Sequence, residues 1–325
     1  MRVALDGAPL DMSTGGLRRY TESLSRALRN CFPDDVFETL VPRGSLWWSV
    51  RLPWRLRSVD VFHGTNFEVP YLPVSPAVMT VHDVSPWKYP ELQSGAARVR
   101  RRCPALIRLG LATMLIVPTR AVAAEVSDMF GVSPARLQVV PEGSSLRRVE
   151  CAPSEPYFLF AGTIEPRKNV PLLIEAWRPL KTRAQLVVAG RRRSDGPVVP
   201  PEPGLHLAGE VSDSRLAELM SCATALVYPS EYEGFGLPVV EGMSCGTPVI
   251  ASRDAALMEV SAGAALHVEP RELRSAMTVL LDNAELRSSL QEAGLRRAAE
   301  LTWDRAAQRT REVYVEAIDR HRSFA

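Results

Sequence analysis

Along the chain, short apolar runs alternate with helix-length amphipathic stretches. Runs at 3–5, 36–41, 59–63, 78–82, 115–117 and 137–140 predict strands, with helices at about 17–29 and 121–130 among them. The pattern then restarts. Strands are expected at 157–161, 186–189, 205–207, 225–227 and 249–251, and helices at 170–177, 216–220 and 237–243. Strands separated by helical stretches are the mark of parallel βαβ units. Three helices are expected to close the chain. The last begins near Trp303 and sets Trp303, Ala307, Thr310, Tyr314 and Ile318 on one face, a spacing that suits packing.

Between the two series, 141–156 holds three prolines and little apolar content, and reads as a linker. A length of 325 residues fits two domains at roughly 100–200 residues each. The expectation is α/β, with two successive Rossmann-like halves. Hydrophobic residues at 46% and charged residues at 23% exclude wholesale disorder. The net charge of +2 is no footprint for a dedicated nucleic-acid binder. Residues 1–150 carry 19 Arg/Lys and 14 Asp/Glu, whereas the remainder carries 20 and 23, so the first half is the one suited to an anionic surface or substrate. Asp6 falls where a secretory leader is apolar, and no apolar run reaches ~18 residues, so neither export by such a leader nor a membrane span is expected. Cys31, Cys103, Cys151, Cys222 and Cys245 show no C-x-x-C pair, which argues against a disulfide framework and for a reducing cytosol.

Several motifs can be set aside. Gly242–Gly246 satisfies G-x-S-x-G, but Ser244 falls at the end of a helical stretch and not on the strand-to-helix turn that a nucleophile requires. There is no G-x-G-x-x-G after the first strand, no P-loop and no H-E-x-x-H. The histidines at 63, 82, 206, 267 and 321 have no metal-ligand spacing, so no metal site is expected. His63 reads as a strand-end histidine.

Two stretches carry chemistry. From Pro229 to Glu241 a strand end passes through Glu233, Gly234, Phe235 and Gly236 into a helix that starts at Leu237, with Pro238 in its first turn. Free amides at such a start suit a diphosphate, and Glu233 and Glu241 could meet sugar hydroxyls at either end of the ligand. The plainer alternative is a helix cap with a solvated glutamate. The second stretch runs from Phe160 through Thr163, Glu165, Arg167 and Lys168 to Asn169, between a strand and a helix. Adjacent cations at a strand's carboxyl edge suit a diphosphate, or else decorate a surface turn. Only three residues of the chain are lysines (Lys88, Lys168 and Lys181), which singles out Lys168.

Together these stretches resemble the retaining glycosyltransferases of family 4, through the E-x7-E element Glu233…Glu241 and the Gly-Thr-Ile-Glu-Pro-Arg-Lys-Asn segment. The stretch from Ser13 to Tyr20 looks like that family's glycine loop, Thr80–Pro86 like its histidine segment, and Gly209–Asp213 like its nucleobase turn. The resemblance implies the glycosyltransferase-B fold: domains at 1–150 and 151–302 around a deep cleft, and a helix at 303–325 packing back toward the first. It implies that Arg167 and Lys168 neutralise the donor diphosphate and that Glu241 holds the ribose. Glu233, with the Phe235, Gly236 and Leu237 amides, would bind donor sugar and phosphate. His82 would contact the sugar, Val211 would lie beside the base, and Gly15 and Gly16 would approach phosphate or acceptor. Where many members carry Arg, this chain has Thr163, and Arg167 is expected to substitute.

The reaction implied is metal-independent transfer of a hexose from a nucleoside-diphosphate sugar, with retention, to a hydroxyl of a glycan or lipid-linked precursor. Attack from the front face, with the leaving diphosphate taking the acceptor proton, is preferred over Glu233 as a covalent nucleophile. The wording of the motifs resembles mannosyltransferase-type members, which favours GDP-mannose and leaves UDP- and dTDP-sugars open. A nucleotide-sugar epimerase and a non-catalytic nucleotide-sugar binder are the alternatives. Arg43, Arg51, Arg55 and Arg57, interleaved with Trp47, Trp48 and Trp54, suit an anionic membrane or lipid diphosphate; the plainer reading is solvated arginines over packed tryptophans. A cytoplasmic protein with peripheral contact at the inner membrane face is expected.

Overall fold

The structure is a computed structural model that describes residues 1–12, 15–42, 47–92, 94–151 and 155–324. Ser13 and Thr14 of the glycine loop, Arg43, and part of the expected linker therefore lie outside the described residues. The chain divides into two compact units, Met1–Glu142 with Trp303–Ala325, and Gly143–Thr302.

The first unit holds β1 (Arg2–Asp6), β2 (Val36–Leu40), β3 (Val61–Gly64), β4 (Ala77–Thr80), β5 (Met114–Val117) and β6 (Leu137–Val139), all parallel in the order β2-β1-β3-β4-β5-β6. The central strands are buried on both faces, which is why they read as unbroken apolar runs. The helices are α1 (Gly16–Cys31), the single turns α2 (Leu52–Arg55) and α3 (Ser85–Lys88), α4 (Ala97–Arg108) and α5 (Arg120–Phe130). Thr119 caps α5 by accepting from the Val122 amide, and Gly131, left-handed at φ 65°, ends it. α4 was not expected, because its arginines and Pro104 obscure the apolar stripe. Pro104 has no N–H for the Arg100 carbonyl, and the Trp87 indole donates to that carbonyl instead, at 3.1 Å.

The second unit repeats the plan with β7 (Tyr157–Ala161), β8 (Gln185–Ala189), β9 (Leu205–Gly209), β10 (Ala225–Tyr228), β11 (Val249–Ser252) and β12 (Leu266–Val268), parallel in the order β12-β11-β10-β7-β8-β9. Its helices are α6 (Val170–Trp177), α7 (Asp213–Cys222), α8 (Leu237–Ser244), α9 (Ala255–Ser261), α10 (Leu273–Asp282) and α11 (Ala284–Glu300). Ser244 ends α8, and Gly246 follows in the left-handed region, as a helix stop requires. After β11, four helices and a strand are present where three helices were expected. The short α9 depends on its Asp254 cap, and β12 has only three residues, too few for a periodic signal.

The last helix, α12 (Trp303–Phe324), belongs to the first unit and packs on α1 and on β3, β4 and β5. Trp303, Ala307, Thr310 and Tyr314 of its predicted face are buried.

One expectation needs correction. The described stretch 143–151 of the expected linker belongs to the second unit, where the Val149 amide donates to Ser221 Oγ at 3.0 Å and Ser244 Oγ donates to Ser144 Oγ at 2.8 Å. Cys151, at its end, forms a disulfide with Cys222 at the close of α7, with a Cα–Cα distance of 5.5 Å. The partners are 71 residues apart in sequence, so no spacing motif announces the pair. Cysteine usage therefore no longer argues for a reducing compartment.

Candidate functional site

In the second unit the site is built at the carboxyl ends of the strands, where open α/β sheets bind ligands. After β7 the backbone turns at Gly162 (φ 143°), passes Thr163 and Glu165, and makes a 3₁₀ turn at Pro166–Lys168. Asn169, left-handed at φ 51°, then starts α6. Residues 191–193 run alongside. The Ile164 amide donates to the Arg191 carbonyl at 2.8 Å, and the Arg193 amide donates to the Ile164 carbonyl at 3.1 Å. This approach requires Gly190, where a Cβ would lie 1.9 Å from the Gly162 carbonyl oxygen.

From β10 the chain enters the loop that carries Glu233. Gly236 (φ 85°) turns it into α8, and a Cβ there would come within 2.2 Å of Leu257. Two contacts clamp this loop to the β7 loop: the Glu231 amide donates to the Arg167 carbonyl at 2.8 Å, and Arg167 Nη1 donates to the Tyr232 carbonyl at 2.7 Å. The side chains then converge. Lys168 Nζ donates to Glu233 Oε1 and to the Tyr228 hydroxyl, and lies 4.8 Å above the Tyr228 ring. Arg167 places Nη1 3.2 Å from Glu233 Oε2 and Nε 2.8 Å from Glu165 Oε1. Arg193 pairs with the other oxygen of Glu165.

Burial alone would raise the pKa of Glu233. Lys168 and Arg167 outweigh it and bring the carboxyl from 4.5 down to about 2, so it is ionised. Burial, and then Arg167, push the Lys168 ammonium down, against the opposing pull of Glu233 and Glu165. Burial and the Glu233 charge drive the Tyr228 phenol well above its ordinary value. Asp254 accepts from the Glu233 amide at 3.3 Å while capping α9, which fixes the loop from below.

Arg167, Lys168 and Glu233 are thus brought together, and Gly236 and Leu237 begin α8 beside them. Glu241 sits in the second turn of α8, only 2% exposed, and Phe235 and Leu237 are buried. Thr163 is half-buried and so is Val211, which immediately precedes the Ser212 cap of α7. Nothing in the sequence singles out Tyr228 or Arg193. Tyr228 reads as one more apolar residue of a strand, and Arg193 as one of three consecutive arginines.

In the first unit, Gly15 (φ 121°) precedes α1 and Gly16 opens it, both exposed. His82, just beyond β4, donates from Nε2 to the Thr65 carbonyl at 2.8 Å. Its Nδ1 therefore faces Glu142 Oε1, 3.6 Å away, and the Tyr20 ring meets the imidazole edge-on at 4.6 Å. His63 is more than a strand end. It is fully buried, hydrogen-bonded through Nδ1 to the Tyr314 hydroxyl at 2.7 Å and through Nε2 to Thr80 Oγ1 at 2.8 Å, and Thr80 in turn meets the Tyr20 hydroxyl. Burial, with His82 nearby, lowers its pKa to about 3, so it stays neutral and ties α12 to the sheet. Among the described residues no three His, Cys, Asp or Glu side chains are grouped as metal ligands would be.

Two parallel six-stranded sheets, one with paired cations facing a glycine-rich helix start, define the glycosyltransferase-B class of fold. Known proteins agree. Residues 146–297 match the family described as Glycosyl transferases group 1, and residues 32–148 match Glycosyltransferase Family 4. The chain is 30% identical over 294 residues to O-antigen chain mannosyltransferase B of Escherichia coli, covering 81% of this chain and 77% of that one. It is 33% identical over 243 residues to the MMP alpha-(1->4)-mannosyltransferase of Mycolicibacterium hassiacum, covering 69% of this chain and 56% of that one. Sucrose-phosphate synthase of Thermosynechococcus elongatus has a similar structure, with a TM-score of 0.76, 19% identity, and coverage of 97% and 98% of the two chains. The chain belongs to glycosyltransferase family 4 and is a glycosyltransferase.

Proposed function

We propose that the chain transfers a hexose, with mannose favoured, from a nucleoside-diphosphate sugar to a hydroxyl of a glycan or lipid-linked acceptor, retaining the anomeric configuration. The observation that carries this reading is the meeting of Arg167 and Lys168, from one strand end, with Glu233, from the next, at the start of α8. Cations held this rigidly are preorganised for the charge a departing diphosphate develops, which is the work a metal ion does elsewhere. Transfer is therefore proposed to need neither metal nor other cofactor. Glu241 is proposed to hold the ribose, Val211 to lie by the base, and His82 to contact the sugar. Thr163 and the Phe235, Gly236 and Leu237 amides are assigned to the donor, and Gly15 and Gly16 to phosphate or acceptor. GDP-mannose is the favoured donor because both relatives named above are mannosyltransferases. The site of action is proposed to be cytoplasmic, next to a membrane that carries the acceptor.

Incubation with GDP-mannose and a mannoside bearing an alkyl tail, in the presence of chelator, tests this. Proton NMR should show a new α-mannosidic anomeric signal. A β-linked product would contradict retention, and an altered nucleotide sugar formed without acceptor would favour the epimerase reading.

A further inference from the structure

The cations of the second unit form one alternating chain with their carboxylates. From the outside inward it runs Asp195, Arg193, Glu165, Arg167, Glu233, Lys168. Glu165 and Glu233 are each 6% exposed, and each takes a different cation on each oxygen. Arg167 is held on three sides, by Glu165, Glu233 and the Tyr232 carbonyl, and Lys168 is enclosed. Neither can swing outward without leaving a buried carboxylate short of a partner.

Arg193 differs. Its side chain is 26% exposed, and its outer partner Asp195, 2.9 Å from Nη2, is 41% exposed. That outer pair is screened by solvent and is exchanged at little cost. The charge balance gives the exchange a purpose. Within this chain of pairs the two enclosed cations cancel the two enclosed carboxylates and Asp195 balances Arg193, so the six groups together are neutral. Release of Asp195 leaves the remainder net positive, and a planar guanidinium with one edge anchored on Glu165 offers the edge that Asp195 vacates to a second oxyanion.

We propose that Arg193 is a diphosphate-binding residue of this site, delivered by the segment after β8 and exchanging Asp195 for a phosphoryl oxygen when a nucleotide arrives. It adds an exchangeable charge to the fixed ones of Arg167 and Lys168. This rests on the donor-site reading above.

The test compares wild type with Arg193→Gln, Arg193→Lys and Asp195→Asn. GDP and UDP binding is measured by calorimetry, and guanosine and uridine binding by saturation-transfer NMR. Arg193→Gln should weaken the diphosphate that wild type prefers by about tenfold or more, and leave the corresponding nucleoside within about threefold. Asp195→Asn should leave diphosphate binding unchanged or tighter. Equal losses for nucleotide and nucleoside, or none for either, would overturn the inference, as would weaker diphosphate binding by Asp195→Asn. If the Gln variant does not fold, Arg193→Lys serves in its place: a selective loss of a few-fold supports the inference, and no loss overturns it. Wild type that binds neither diphosphate would instead sink the donor-site reading itself.

Discussion

Lys168 and Glu233 lie 65 positions apart and share one enclosed site, with Tyr228 accepting a second bond from the same ammonium. Removing Glu233 strands the enclosed Lys168, at a cost of about 3–5 kcal/mol for buried pairs, whereas removing Lys168 leaves Glu233 with Arg167 alone. Two predictions follow from the directions of these charges. Lys168→Ala should lower turnover about 100-fold, as loss of a preorganised electrostatic group does, and weaken nucleotide binding much less. Parallel measurement of kcat and nucleotide Kd checks this, and equal losses would deny Lys168 a role in the transition state. The second concerns pH. Glu233 has its pKa depressed to about 2 in the fold, so the unfolded chain takes up its proton first on acidification. The stability it contributes is complete above about 4.5 and is lost as pH falls toward 2. Denaturant titrations of wild type and Glu233→Gln should therefore show a wide gap at neutral pH that narrows below pH 4.5. A gap independent of pH would mean the carboxylate is not held by its cations.

Among the elements, those with clear periodicity were legible. The central strands of both sheets are buried on both faces and announce themselves as apolar runs, and α1, α5, α6 and α12 were foreseen to within a residue or two. The charged groups that meet in the second unit stand out in the sequence too, because Arg167, Lys168 and Glu233 lie in glycine-bearing loops at strand ends. Three things were not. α4 hides its stripe under arginines; Tyr228 gains its role only when Lys168 folds over it; and Cys151 meets Cys222 only through the packing of 143–151 within the second unit. The Arg/Trp stretch is divided by the fold. Trp47 and Trp48 are buried, as the plainer reading has it, whereas Trp54 on α2 is 69% exposed, with Arg51, Arg55 and Arg57 exposed around it. Arg55 pairs with Glu38. An exposed indole among guanidinium groups is suited to an anionic interface, and we propose that α2 meets one. The protein should co-sediment with anionic liposomes at low salt, and Trp54→Ala should reduce the bound fraction. Wild type left entirely in the supernatant would refute the contact.

For the molecule as a whole, the repeated plan of two six-stranded parallel sheets separates two kinds of chemistry. The second unit gathers Arg167, Lys168, Arg193, Glu165 and Glu233 at its strand ends, while the first presents His82, braced by Thr65, Tyr20 and Glu142. α12 is part of the first unit's core and not an appendage: Tyr314 reaches His63 there, and Arg311 pairs with Asp35. Among the described residues no helix is long and apolar enough to cross a membrane.

Fixed cations are proposed to make a nucleoside-diphosphate site here without a metal ion. Calorimetric titration with GDP, UDP, dTDP and ADP, first in chelator and then with magnesium, tests it most directly. One nucleotide, GDP by preference, is expected to bind in chelator, and magnesium to add little. Binding that appears only with magnesium, or no binding at millimolar nucleotide, would contradict it.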